Sequence, residues 1–185
     1  MSTSNNTFTW PTNFSCSLVI ENNIYPNQYN IEISMFPNGS DSDILKNGFK
    51  KLKHFIKLYL NNSILIKEGH PFLIKLDTLE TTTVQLPEEP TDYILASVLF
   101  HKFSSILDKD ITITQITVDS ELGDRVKYTV DTGNKILNNS SWWNNNSLET
   151  NDIDGFPSWE DVKTQNTRFE PKVVLGGKNE NRPVW

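Results

Sequence analysis

The sequence is poor in residues that hold metals or cross-links. A single cysteine, Cys16, excludes a disulfide framework and a cysteine zinc cluster. Only three histidines are present, His54, His70 and His101, well separated along the chain. No apolar run is long enough to span a membrane, so no membrane partner is expected. Met1 to Phe8 is rich in Ser, Thr and Asn and lacks the charged and apolar regions of a signal peptide, so export by that route is not expected. Lys and Arg number 17 against 23 Asp and Glu, a net charge of -6. Phosphate contacts need clustered cations, so nucleic acid is not expected as a partner either. The lysines that do gather, Lys46, Lys50, Lys51, Lys53 and Lys57, recur at helical spacing and read as a solvated face. Phosphate loops, dinucleotide fingerprints, serine elbows and HExxH motifs are all missing.

What is present is the patterning of one folded domain with chain to spare. The 185 residues are 36% apolar, enough for a core. Cys16, Leu18 and Ile20 alternate with Ser15, Ser17 and Val19, and Tyr29, Ile31, Ile33 and Met35 alternate with Asn30, Glu32 and Ser34. Both are the period of a half-buried strand. The segment Asn22 to Gln28, with Pro26, is expected to join them as a hairpin loop. The period then changes. Leu45, Phe49, Leu52, Ile56 and Tyr59 form one helical stripe, started by Asp41, Ser42 and Asp43 and ended by Asn61 and Asn62. Lys67 to Glu89 reads as a loop with a short strand near Thr82 to Leu86. A second helix follows Pro90, capped by Thr91 and striped by Ile94, Leu95, Val98, Leu99, Phe103 and Ile106. Ile111 to Val118 and Val126 to Val130 predict two more strands, joined by a turn at Gly123-Asp124.

The expected fold class is therefore α+β: an antiparallel four-stranded sheet in the order ββααββ, with two helices on one face. The expected organisation is a polar N-terminal segment over 1–13, a core domain over 14–132 and an extended C-terminal arm over 133–185. That arm is polar yet carries Trp142, Trp143, Phe156, Trp159, Phe169 and Trp185. Spaced aromatic rings suit docking into grooves, on a partner or back on the same domain. These six residues are the candidate partner-binding set.

The element order resembles the T-fold of 6-pyruvoyl- and 6-carboxy-tetrahydropterin synthases over roughly Phe14 to Asp131. That family has an Asp-His followed by Leu three residues on, then a Pro-Thr-x-Glu-Asn-Ile helix start. Here the strings are Gly69-His70-Pro71-Phe72-Leu73 and Pro90-Thr91-Asp92-Tyr93-Ile94. The family's pterin-binding Glu and following Tyr would fall near Asp119 or Glu121 and at Tyr128. The resemblance implies a ligand site near His70, Asp119 and Glu121. It also implies departures. The family's catalytic zinc sits on three histidines, two of them on the first hairpin, and none is there. The Asp that would orient His70 is Gly69, and Cys16 reads as a small buried hydrophobe. No cofactor, no metal and no catalytic residue is expected.

Ile24-Tyr25-Pro26-Asn27, Pro90-Thr91-Asp92, Leu122-Gly123-Asp124 and Trp142-Trp143 also resemble uncharacterised proteins of marine tailed phages. The resulting expectation is a non-enzymatic, homo-oligomeric virion subunit, located in the cytoplasm or the virion, that contacts other structural proteins. The alternative is a pterin- or nucleotide-binding protein or degenerate enzyme of the resembled family.

Overall fold

The computed structural model describes residues 7–39, 42–76, 81–133 and 142–144. Strand β1 (Phe8–Ile20) and strand β2 (Asn23–Pro37) form a long antiparallel hairpin. Helix α1 (Ser42–Phe55) runs into a π turn (Ile56–Leu60), then strand β3 (Ile64–Lys67) and a single-turn helix α2 (Leu73–Leu76). Strand β4 (Thr83–Leu86), helix α3 (Asp92–Leu107), strand β5 (Ile111–Ser120) and strand β6 (Tyr128–Asp131) follow, and a 3-10 turn covers Trp142–Asn144.

The class is α+β, but the sheet is larger than expected. It has six strands in the order β4-β3-β1-β2-β5-β6. The four expected strands form the antiparallel part, β1-β2-β5-β6. Two more strands join in parallel at the β1 side: β3, which was not expected and where Ser17 and Leu18 pair with Ile64 and Leu65, and β4, the short strand expected near Thr82 to Leu86 but not as part of this sheet. Each is only four residues long, and the sequence around Ile64 carries no alternation that separates a strand from a helix end.

The hairpin also closes more tightly than expected. Only Glu21 and Asn22 lie outside the strands, with Glu21 at a φ of 55°. Pro26 is accommodated because β5 reaches only as far as Tyr29, so the outer side of β2 needs no amide there. At the other end, β1 starts at Phe8 rather than at residue 14, so residues 8–13 of the expected N-terminal segment are strand. Ser15 and Ser17 direct their N–H groups away from β2, to Asn61 Oδ1 (3.1 Å) and the Ser63 carbonyl (2.9 Å). By the same alternation Pro11 points its missing N–H outward, on the half of β1 that β3 does not reach.

One face of the sheet is the main core. Phe14, Cys16 and Leu18 of β1, Tyr29, Ile31, Ile33 and Met35 of β2, Leu52 and Phe55 of α1, and Ile56 and Leu60 of the π turn are buried together with most of α3. Ile111 and Ile113 face this core, and so do Ile116 and Val118, although their spacing is odd. A bulge in β5 between the partners of Ser34 and Met35 inserts Thr114 and resets the phase. In the π turn, Asn61 N donates to the Ile56 carbonyl (2.8 Å), keeping Ile56 and Leu60 both inward. Gly48 lets α1 come close, since a β-carbon there would collide with Ile111.

Thus α1 and α3 share a face as expected. Short α2 lies on the other side, where Val19, Ile64, Ile66 and Leu76 form a small second core with Phe72 and Leu73. His54 lies among the lysines of α1 yet is half-buried. Its burial, then the nearby Lys57 charge, lowers its pKa.

Candidate functional site

The ends of β1, β3, β4 and β5 and the start of α3 meet at one end of the domain. Two polar groups lie there, one on each side of β5.

On the core side, Thr91 caps α3 by accepting from Ile94 N (3.4 Å), which sets Asp92 in the first turn. Ser120, the last residue of β5, places its hydroxyl 2.9 Å from both Asp92 carboxylate oxygens. The Ser120 oxygen accepts in turn from Gly123 N (3.0 Å). Gly123 is needed because a β-carbon would strike the Asp92 carboxylate. Asn27 Oδ1 accepts from Gln28 N (2.9 Å) and Leu122 N (3.1 Å), tying the hairpin to this turn. The Asn27 amide nitrogen and the Tyr29 hydroxyl are buried and close no hydrogen bond among the described residues. Asp92 is 8% exposed, and burial raises its pKa, opposed by the Ser120 bond. Burial also raises Tyr29, with smaller contributions from Cys16 and Asp92. The Cys16 thiol is pushed up to about 12 by burial alone. Beside Asp92 opens a pocket of about 430 Å³ walled by Leu18, Tyr93, Leu122 and Tyr128.

On the open side, Asp119 accepts from Asn30 Nδ2 (3.0 Å) and pairs with Arg125 (3.3 Å), whose other nitrogen holds Glu121 (3.0 Å). Arg125 and Asp124 both take left-handed backbone, φ 59° and 51°, which turns the guanidinium back over β5. Lys127 reaches Glu32 at 2.7 Å, and its pKa is raised by that contact. Asn30, Glu32, Asp119, Arg125 and Lys127 line a shallow depression of about 620 Å³ with Pro11 and Asn13, and Glu121 lies outside its lining.

Of the expected ligand residues, Asp119 and Glu121 do meet, through Arg125. His70 does not join them. It sits beyond β3, where its Nδ1 accepts from Phe72 N (3.1 Å). Three strand spacings separate β3 from β5, roughly 14 Å at about 4.8 Å each. Among the described residues no group of three His, Cys, Asp or Glu is placed to hold a metal ion.

Trp142 and Trp143, expected on the arm, are 5% and 1% exposed and belong to the domain core. Trp142 Nε1 donates to the Gln85 carbonyl (2.9 Å), and its ring stacks near Phe55. Lys102, fully buried, donates to the Trp142 carbonyl (3.0 Å) and lies over the Phe55 and Trp142 rings. For this pair the docking is on the chain's own domain. Phe156, Trp159, Phe169 and Trp185 lie outside the described residues.

The sequence reading missed the Asp92–Ser120 pair and its buried neighbours Asn27 and Tyr29. An acid in the first turn of a helix is ordinary, and Ser120 gave no sign of facing inward. The phase change at Thr114 concealed it.

No family model matches the chain, and no curated protein matches it. Among solved structures it is similar to an uncharacterized protein from Wolinella succinogenes, at 11% identity and a TM-score of 0.53, over 69% of this chain and 98% of that one. It is also similar to 6-pyruvoyl tetrahydropterin synthase from Plasmodium vivax, at 12% identity and TM-score 0.42, over 68% and 98%. The synthase from Plasmodium falciparum matches at 13% and 0.40, over 68% and 98%. Likeness at these identities is one of fold.

Proposed function

We propose that the protein is a non-enzymatic assembly subunit of a tailed-phage particle, which associates with copies of itself through its sheet and fastens neighbours with its C-terminal segment. One observation carries the assembly part. Nine large apolar side chains stand exposed among the described residues, and seven of them, Ile20, Ile24, Tyr25, Tyr93, Leu122, Val126 and Tyr128, gather at one end of the sheet. Apolar surface concentrated in this way marks an interface. It runs through Val126 and Tyr128 onto β6, whose outer edge is unpaired among the described residues. The phage setting rests on the four short motifs named above. Light scattering on the full chain tests the reading: a defined oligomer is expected, and Leu122→Glu with Tyr25→Glu should shift it toward monomer while circular dichroism stays unchanged. A wild-type chain that remains monomeric at high concentration would sink it.

A second reading, a pterin- or nucleotide-binding protein, is favoured by the pocket beside Asp92. A buried carboxylate at an apolar-walled opening suits a flat ligand with donor groups on one edge. Calorimetry with pterins and nucleotides should then give heat that Asp92→Asn abolishes. A silent panel removes this reading.

A further inference from the structure

The seat of the Trp142–Trp143 pair is a built binding site. It reads the segment in several ways at once. The Gln85 carbonyl accepts the Trp142 indole N–H (2.9 Å), Lys102 holds the Trp142 carbonyl (3.0 Å), and the Ser105 hydroxyl approaches the Trp143 carbonyl (3.4 Å). Phe55 and the other indole flank the Trp142 ring. None of these contacts depends on the segment belonging to the same chain.

The topology makes that point matter. The chain leaves the sheet at β6 and reaches the seat at Gln85 of β4, and these are its two opposite edges. Five strand spacings separate them, roughly 24 Å across the sheet at about 4.8 Å each. Residue 142 is nine Cα steps beyond Gly133, a greatest reach of roughly 30 Å. A connection of that reach allows the seat to be filled from the same chain or from a neighbouring copy. β4 and β6 also run in opposite directions, since β4 is parallel to β1 and β6 lies an odd number of antiparallel steps from it. Rotation about an axis along the strands would bring β6 of one copy beside β4 of the next as an antiparallel pair. In that arrangement the neighbour's Gln85 strand would lie one spacing from β6 instead of five.

We propose that the seat is an exchange site, filled in the assembled protein by the Trp142–Trp143 segment of a second copy. The proposal rests on the edge-to-edge part of the assembly reading and supplies its fastening.

The test uses the full-length chain with cysteines introduced on each side of the seat, Ser105→Cys and Asn144→Cys. Cys16 is buried and its thiol stays protonated, so it stays silent toward thiol reagents. A short bis-maleimide is added, and products are separated under denaturing conditions after light scattering has given the native mass. Exchange predicts chain-to-chain products from the double variant. It also predicts a dimer containing one of each chain when the two single variants are refolded together. Products confined within single chains, in a protein whose native mass is oligomeric, would overturn the exchange and leave the assembly reading standing. A monomeric native mass with products only within chains would overturn both.

Discussion

Trp142→Ala gives the sharpest test of whether this tryptophan belongs to the domain. The ring is 5% exposed and sits against Phe55, Lys102 and Trp143. Truncating a buried tryptophan costs about 3–5 kcal/mol. The Gln85 carbonyl would also lose its indole donor, and Lys102 would lose one of its two rings. Lys102 keeps its bond to the residue-142 carbonyl, which limits the damage. A net loss of about 4 kcal/mol, at roughly 3–5 °C per kcal/mol for a domain of this size, lowers Tm by roughly 12–20 °C. Thermal unfolding followed by far-ultraviolet circular dichroism reads it directly. The conservative pair sharpens the argument. Trp142→Phe removes a satisfied indole N–H and should cost about 1–2 kcal/mol, whereas Trp143→Phe removes one that is buried without an acceptor and should cost under about 1 kcal/mol. A Trp142→Ala protein melting within about 3 °C of wild type, or the two Phe variants reversing their order, would refute the placement.

Ser120→Ala should cost about 1–3 kcal/mol at neutral pH, because it takes the hydroxyl donor from a buried carboxylate; a neutral result in urea titration would mean that Asp92 is solvated. Asp92 has its pKa raised in the fold, so its contribution favours the native state below the unfolded value near 4 and is lost as pH rises through the folded value. Asp92→Asn should accordingly gain on wild type as pH climbs from about 4 to 7, and parallel stability curves would contradict this. Gly123→Ala pushes a methyl into the Asp92 carboxylate and should cost about 1–3 kcal/mol, read as a lower urea midpoint at unchanged slope. Cys16, 5% exposed and with its thiol pushed up to about 12, should resist a thiol reagent at mild alkaline pH until the chain unfolds; reaction at the rate of a free thiol would place it outside the core.

Much of the frame could be read from periodicity. The alternation through Tyr29 to Met35 marked β2, and the stripes from Leu45 and Ile94 marked α1 and α3, because each buries one face against one core. Thr91 was readable as a cap from its place after Pro90. The missed parts have physical causes. Strand β3 has four residues, too few to display a period, and β4, though expected near Thr82 to Leu86, carries nothing in its four residues that places it in the sheet. Glu21 turns the hairpin in left-handed backbone that its residue type does not announce. Ser120 faces inward only because Thr114 shifts the phase of β5. Asp119 and Glu121 could be paired by proximity in sequence, but nothing in the string revealed that Arg125 would fold back between them, or that His70 would stand three strands away.

The outward-facing proline of β1 bears on how such a sheet can grow. Along Phe8 to Phe14 the outer edge, unpaired among the described residues, has carbonyls to offer but lacks the amide at Pro11, so an incoming strand finds its ladder interrupted midway. Growth by stacking along that stretch is thereby discouraged, and among the described residues the uninterrupted edges left for pairing are the four-residue strands at the two flanks. Contacts that short bind weakly one at a time and hold only when they act together, a property that favours a closed set of copies over an endless ribbon.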